Sequence, residues 1–152
     1  MSAVIISGFP GVGKSHLKRF YDKLYNDIII LDSDSSNFSW IQPGLRNPDF
    51  PYNYIQHIKD NLEKADVILI SSHNVVRELL ARENIPYTLV YPDISLKDEY
   101  IFRYIQRGSS KEFIDKIKND WEGFVNDCEN DPFPTKIKLE SCQHLTDIYN
   151  LK

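Results

Sequence analysis

The chain has 152 residues, 41% hydrophobic and 26% charged, which suits one compact domain and leaves little room for two separately cored ones. A formal net charge of −4, with no run of four Lys/Arg, argues against a broad electrostatic grip on duplex nucleic acid, so phosphate recognition must be local. The longest apolar stretches, Ile28–Leu31 and Val67–Ile70, fall far short of the roughly 20 residues of a membrane span. The N-terminus lacks the basic and apolar regions of a secretion signal, so a cytoplasmic protein, monomer or homodimer, is expected. Cys128 and Cys142 match no zinc spacing, and neither a disulfide nor a structural metal is expected.

In chain order, Ala3–Ser7 is a short run rich in β-branched residues, followed by a Gly/Pro-dense turn and the helix-compatible stretch Lys14–Leu24. Ile28–Leu31 reads as a second buried strand, and the long irregular segment Ser33–Pro51 lies where a binding loop belongs. Pro51–Lys64 carries Tyr54, Ile55, Ile58 and Leu62 at helical spacing, and Val67–Ile70 is a third strand. Val75, Val76, Leu79 and Leu80 mark a helix ending before Pro86, and Tyr87–Tyr91 is a fourth strand closed by Pro92. Two helices follow. Gly108 stops Lys97–Arg107, and a capping box of Ser109 and Glu112 opens the next, with Phe113, Ile117, Trp121, Phe124 and Cys128 on its inner face. Lys136–Leu139 and Leu145–Tyr149 supply a last strand and helix. Apolar strands alternating with amphipathic helices predict an α/β fold, a parallel sheet of about five strands with helices on both faces.

Gly8-Phe9-Pro10-Gly11-Val12-Gly13-Lys14-Ser15 fits G-x-x-x-x-G-K-[ST] without a mismatch, between a predicted strand and a predicted helix. The glycines let the backbone curl so that successive N–H groups point inward, and the helix N-terminus adds partial positive charge. Lys14 then reaches the β/γ-phosphates of a nucleoside triphosphate and Ser15 ligates Mg²⁺. The expected donor-binding set is Gly8, Pro10, Gly11, Val12, Gly13, Lys14, Ser15 and His16, with ATP and Mg²⁺ as the cofactors.

GFPGVGKS near the N-terminus of a five-stranded α/β chain resembles the P-loop nucleoside monophosphate kinases related to adenylate kinase. LDSDSSNFSW and YIFRYIQRG resemble small bacteriophage-encoded members of that group. The resemblance covers nearly the whole chain and implies a P-loop NTPase fold with a short helical lid. It further implies phosphoryl transfer from ATP to a nucleoside or deoxynucleoside monophosphate. Relatives usually carry an Asp after the third strand, where this chain has Ser71-Ser72-His73, so Asp32 at the end of the second strand is expected to replace it near the metal.

Asp32 and Asp34 fall at the carboxyl edge of the sheet, where Asp34 orients an acceptor or takes its proton; both are equally ordinary turn residues. Trp40, Arg46, Phe50 and Asn53, in the segment 33–53, mix rings, an amide and a guanidinium suited to a base and a phosphate, although Trp40 and Phe50 also read as core. Arg77 is a third phosphate-ligand candidate or a surface helix residue. Arg103 and Arg107 share a helix face within the lid-like segment 95–110, and the resemblance implies that they neutralise the migrating phosphoryl group. The alternative for Arg103 is an i,i+4 pair with Glu99. Two further readings stand beside the leading one: a kinase of a hydroxyl acceptor, such as a polynucleotide 5′-end or a small metabolite, with Asp34 as base, and a nucleotide-binding regulator without turnover.

Overall fold

The structure, a computed structural model, describes residues 2–149. Its elements are β1 (Val4–Gly8), α1 (Lys14–Leu24), β2 (Ile30–Asp32), α2 (Ser36–Ser39), β3 (Trp40–Gln42), β4 (Leu45–Arg46), α3 (Tyr52–Asn61), β5 (Val67–Ser71), α4 (Asn74–Arg82) and β6 (Thr88–Pro92). A 3-10 turn at Ile94–Leu96 leads into α5 (Lys97–Gln106), α6 (Lys111–Asn119), α7 (Trp121–Glu129), β7 (Thr135–Leu139) and α8 (Leu145–Ile148).

Five strands pair in the order β2-β5-β1-β6-β7, all parallel, and β3 and β4 form a separate antiparallel hairpin. Val67, Ile68, Leu69 and Ile70 are all buried, as a strand covered on both faces requires. The crossover from β1 to β2 runs one way along the sheet, and those from β2 to β5, β5 to β6 and β6 to β7 run the other. Right-handed crossovers therefore put α1 on one face and α3, α4 and α7 on the opposite one. Packing agrees: α1 lies against α8, α3 against α4, and α7 against β6. The architecture is compatible with a P-loop NTPase fold. No helix among the described residues is long and apolar enough to cross a membrane.

Register aligns the site. Gly8 is level with Ser71 and Val90, and Asp32 with Leu69, so the loops leaving β1, β2 and β5 emerge together at the carboxyl edge. Tyr54, wholly buried on α3, donates its hydroxyl to Ser33 O at 2.6 Å, and Ser33 N donates to Leu69 O at 2.9 Å. The turn carrying Asp32 and Asp34 is thus tied to the core.

Three expectations are corrected. The segment 33–51 is not one irregular loop, because Ser36–Ser39 closes a helical turn and Gly44, at φ +84°, lets Trp40–Gln42 fold back on Leu45–Arg46. The helix after Gly108 is capped by Ser110, whose Oγ accepts from Phe113 N at 3.2 Å, while Ser109 Oγ accepts from Arg107 Nε. That helix also breaks at Asp120, where α7 starts so that Trp121 can bury its ring and donate Nε1–H to Ile94 O at 2.8 Å.

α5 is also firmly seated, unlike the lid-like segment implied by the resemblance. Tyr100 and Tyr104, one turn apart, are both 0% exposed. Phe9 meets Tyr100 and Trp121 edge-on, and Tyr104 meets Phe113 in the same way, so one aromatic cluster underlies α5, α6, α7 and the start of the Gly-rich loop. Tyr104 Oη donates to Pro10 O at 2.7 Å. Tyr104→Phe keeps the ring but strands that carbonyl, and is expected to lower unfolding free energy by about 1 kcal/mol in urea titration.

Candidate functional site

The site begins with where the carbonyls of the Gly-rich loop go. Gly8 O accepts from Lys14 Nζ at 2.6 Å, Phe9 O from Val12 N at 3.2 Å and Pro10 O from Tyr104 Oη. Gly11 O accepts from Arg103 Nη1 at 2.8 Å, Val12 O from Leu145 N at 2.9 Å and Gly13 O from Leu17 N at 2.9 Å. Every carbonyl from Gly8 to Gly13 is therefore bonded within the protein. The amides of Gly11, Gly13, Lys14, Ser15 and His16 have no hydrogen-bond acceptor among the described residues. A loop whose oxygens are all bonded and whose last N–H groups are unclaimed, at the N-terminus of an eleven-residue helix, has the donor arrangement of an anion nest.

Glycine is needed where the loop bends. Gly11 and Gly13 have φ of +93° and +99°, and a Cβ on Gly8 would lie 2.8 Å from Val12 Cγ2. A Cβ on Gly11 would sit 3.0 Å from Tyr104 Cε1, so the loop is pressed onto the aromatic cluster as well.

The loop forms one end of a cleft of about 960 Å³. Lys14, Ser15, Asp32 and Asp34 line that end, Ser71 to Asn74 and Arg107 the middle, and α6 and α7 the far side. Burial lowers the Lys14 ammonium to about 8; Asp32 and Asp34 pull it up and Arg107 pushes it further down. Ser15 Oγ donates to Asp32 Oδ2 at 2.8 Å, which leaves the hydroxyl lone pairs for a cation. Asp34 Oδ1 accepts from Ser36 N at 2.9 Å. Ser71 Oγ, also on the cleft wall, is buried with no hydrogen-bond partner among the described residues. Burial, then the charges of Lys116, Arg46 and Arg77, hold the His73 imidazole below its usual pKa.

The donor set suits a phosphate-bound Mg²⁺. Among the described residues no group of three or more His, Cys, Asp or Glu forms a cage. One hydroxyl and one carboxylate beside an anion nest match an ion that keeps waters and is completed by substrate phosphates.

The sequence-derived set divides. Gly8, Pro10, Lys14, Ser15, Asp32, Asp34, Arg77 and Arg107 line the cleft, whereas Gly11, Val12, Gly13, His16, Trp40, Arg46, Phe50, Asn53 and Arg103 do not. Arg46 places its guanidinium 4.0 Å from the Trp40 ring centroid, on the exposed hairpin. Asn53 Nδ2 donates to Phe38 O at 2.8 Å, and Phe50 packs on Tyr54 and His73. His16 is exposed on α1, its ring toward Phe20.

The two lid arginines part company. Arg103 donates to Gly11 O, Glu99 Oε2 and Gln143 O and stacks 4.3 Å over Tyr100. Glu99 in turn accepts from Ser141 Oγ and Cys142 N. Arg103 is thus a brace holding the loop, the Glu99 pair being part of that brace. Arg107 is exposed, donates only to Ser109 Oγ, and lies 5.0 Å and 5.4 Å from the Tyr104 and Phe113 ring centroids.

Sequence reasoning missed Tyr104, Leu145, Lys116 and Phe124. Tyr104 and Leu145 act on the loop from 94 positions (Tyr104 to Pro10) or more away, which no spacing signals. Lys116 and Phe124 read only as parts of amphipathic helices.

Comparison with known proteins adds little. No family model matches the chain, and no curated protein does. Among solved structures, an uncharacterized protein from Eubacterium ventriosum is 18% identical, with a TM-score of 0.43, covering 94% of this chain and 92% of that one.

Arg77 is 5% exposed, donates Nε–H to Ser72 O at 2.8 Å, and pairs with Asp131 at 2.7 Å and with Asp127. Asp131 also accepts from Tyr87 Oη at 2.8 Å. Arg77→Met leaves the carboxylates without their cation, and its expected cost is about 3–5 kcal/mol in chemical denaturation, far above that of a solvent-facing ligand.

Proposed function

We propose that this protein is a Mg²⁺-dependent kinase that moves the γ-phosphoryl group of ATP to a nucleoside or deoxynucleoside monophosphate. The observation that supports the reading is the Gly8–Gly13 loop, with all its carbonyls bonded away and the amides of Gly11, Gly13, Lys14, Ser15 and His16 left without an acceptor among the described residues. In the bound state the amides of Gly11, Gly13, Lys14, Ser15 and His16 hold the donor phosphates, and Lys14 moves from Gly8 O to the β/γ oxygens. Ser15, oriented by its bond to Asp32, and Asp32 itself would hold Mg²⁺, which would supply positive charge to the β/γ oxygens. Arg107, exposed on the cleft wall and without a carboxylate partner among the described residues, faces the space the phosphoryl group crosses. Arg103 acts indirectly, by fixing Gly11.

The anionic acceptor is supported by the cleft's cations. Lys14, Arg107 and Lys116 all line it, and none forms an ion pair among the described residues. A phosphate acceptor is already ionised near neutral pH and needs no base. Asp34, exposed on the same wall, favours a second reading in which it deprotonates a hydroxyl acceptor. Asp34→Asn separates the two: it abolishes transfer to a hydroxyl but only weakens transfer to a phosphate, as read in a coupled assay over nucleotide and hydroxyl acceptors.

Donor binding is checked by calorimetry with a non-hydrolysable ATP analogue. Lys14→Ala should weaken it at least about tenfold. With the Lys14 ammonium near 8 in the free site, the neutral form gains ground as pH rises, and binding the triphosphate then requires uptake of a proton. Affinity of the wild type should fall about tenfold per pH unit above that value, while Lys14→Arg stays level to pH 10. A flat wild-type profile would remove Lys14 from the phosphate site.

A further inference from the structure

The acceptor end of the cleft is built by the helices after β6. Phe113, Lys116 and Ile117 on α6, and Asp120, Gly123 and Phe124 around the start of α7, form its far wall. Lys116 is exposed, with no hydrogen bond or ion pair among the described residues, and lies close enough to His73 to depress its basicity. Unlike its helix neighbour Lys111, which pairs with Asp115 at 2.7 Å, it faces the cleft uncompensated. Phe124 is half-buried, one side against the core, and pairs with no aromatic ring among the described residues, although Phe9, Tyr100, Tyr104, Phe113 and Trp121 all do. Gly123, beside it, leaves room for the Asp120 carboxylate, whose Oδ1 lies 2.6 Å from where a Cβ would sit.

We infer that the acceptor nucleotide is seated against α6 and α7, with Lys116 meeting its 5′-phosphate and the Phe124 ring lying along its base, and that the stretch 40–53 does not bind it. This rests on the kinase reading above. The chemistry matches a mononucleotide. An unpaired ammonium meets a phosphate, an aromatic face without a ring partner takes any base, and the Asp120 carboxylate nearby accepts from a base amine or a sugar hydroxyl. Lys14, Arg107 and Lys116 line the same cleft, and Lys14 and Arg107 are close enough to interact electrostatically. The hairpin offers less. Arg46 is laid over Trp40, and the amide of Asn53 is spent on Phe38 O.

The test is equilibrium binding of the eight common ribo- and deoxynucleoside 5′-monophosphates, with the protein saturated by a non-hydrolysable ATP analogue and Mg²⁺. Wild type, Lys116→Ala, Phe124→Leu, Arg46→Ala and Trp40→Leu are compared. Lys116→Ala should weaken the best mononucleotide at least about tenfold and leave analogue binding unchanged. Phe124→Leu should weaken it about fivefold or more, by loss of stacking, with the corresponding nucleoside affected equally. Arg46→Ala and Trp40→Leu should bind as wild type does. Undiminished mononucleotide binding in Lys116→Ala, or loss confined to the hairpin variants, overturns the seat while leaving the kinase reading standing. Wild-type protein that binds the analogue and no mononucleotide overturns both the acceptor class and the seat.

Discussion

The structure turns on the direction of six carbonyl groups. A tight Gly-rich loop must leave some backbone polar groups unpaired, and this one resolves the problem asymmetrically. The oxygens of Gly8 to Gly13 are bonded to Lys14, Val12, Tyr104, Arg103, Leu145 and Leu17, which fixes the peptide planes and leaves the amides of Gly11, Gly13, Lys14, Ser15 and His16 unclaimed among the described residues. Without α5 and the turn before α8, the same sequence would have no reason to hold this curl. Tyr104 and Arg103 are therefore as much a part of the anion site as the glycines, though neither meets the anion.

The brace is stiff because it is anchored in the core. Tyr100 and Tyr104 are wholly buried, the Phe9 ring seats the first turn of the loop, and Glu99 ties Arg103 to the segment after β7. A site prepared in this way spends little free energy on reorganisation when charge arrives. The seated helix also changes what α5 can do. Its inward face is committed, so motion that closes the cleft has to come from elsewhere, and Arg107, at its end and exposed, is the group free to follow a moving charge.

Sheet topology then sets the shape of the cleft. Three crossovers share one face, so α4 and α7 lie side by side, and the Arg77 cluster with Asp127 and Asp131 locks them together below the cleft floor. Buried ions of this kind contribute little net stability, but they fix geometry, because a shifted helix would strand a charge. The cleft above is lined by both signs of charge: Lys14 beside Asp32 and Asp34 at the loop end, and Lys116 with Asp120 and Asp127 around α6 and α7.

Much of this was legible in the chain itself. Local pattern located every strand of the main sheet to within about two residues; for β1, β5 and β6 this is because a strand covered on both faces has to be almost continuously apolar. The Gly8–Ser15 motif marked the curled loop between β1 and α1, because the positive φ of Gly11 and Gly13 favours glycine. Asp32 and Asp34 were readable for the same reason, as polar residues following an apolar strand. What the sequence could not separate was the fate of residues whose role depends on a distant partner. Arg103 and Arg107 share one helix and one spacing, yet one braces Gly11 and the other opens onto the cleft. Arg77 looked like a surface ligand and is a buried tie. Phe50 looked like part of a binding loop and packs on Tyr54 of α3, while Trp40 lies on the exposed hairpin beneath Arg46. Periodicity reports which face of an element is apolar. Which polar group meets which carbonyl is decided only when the crossovers bring elements nearly a hundred residues apart into contact, and that pairing is the content of the tertiary structure.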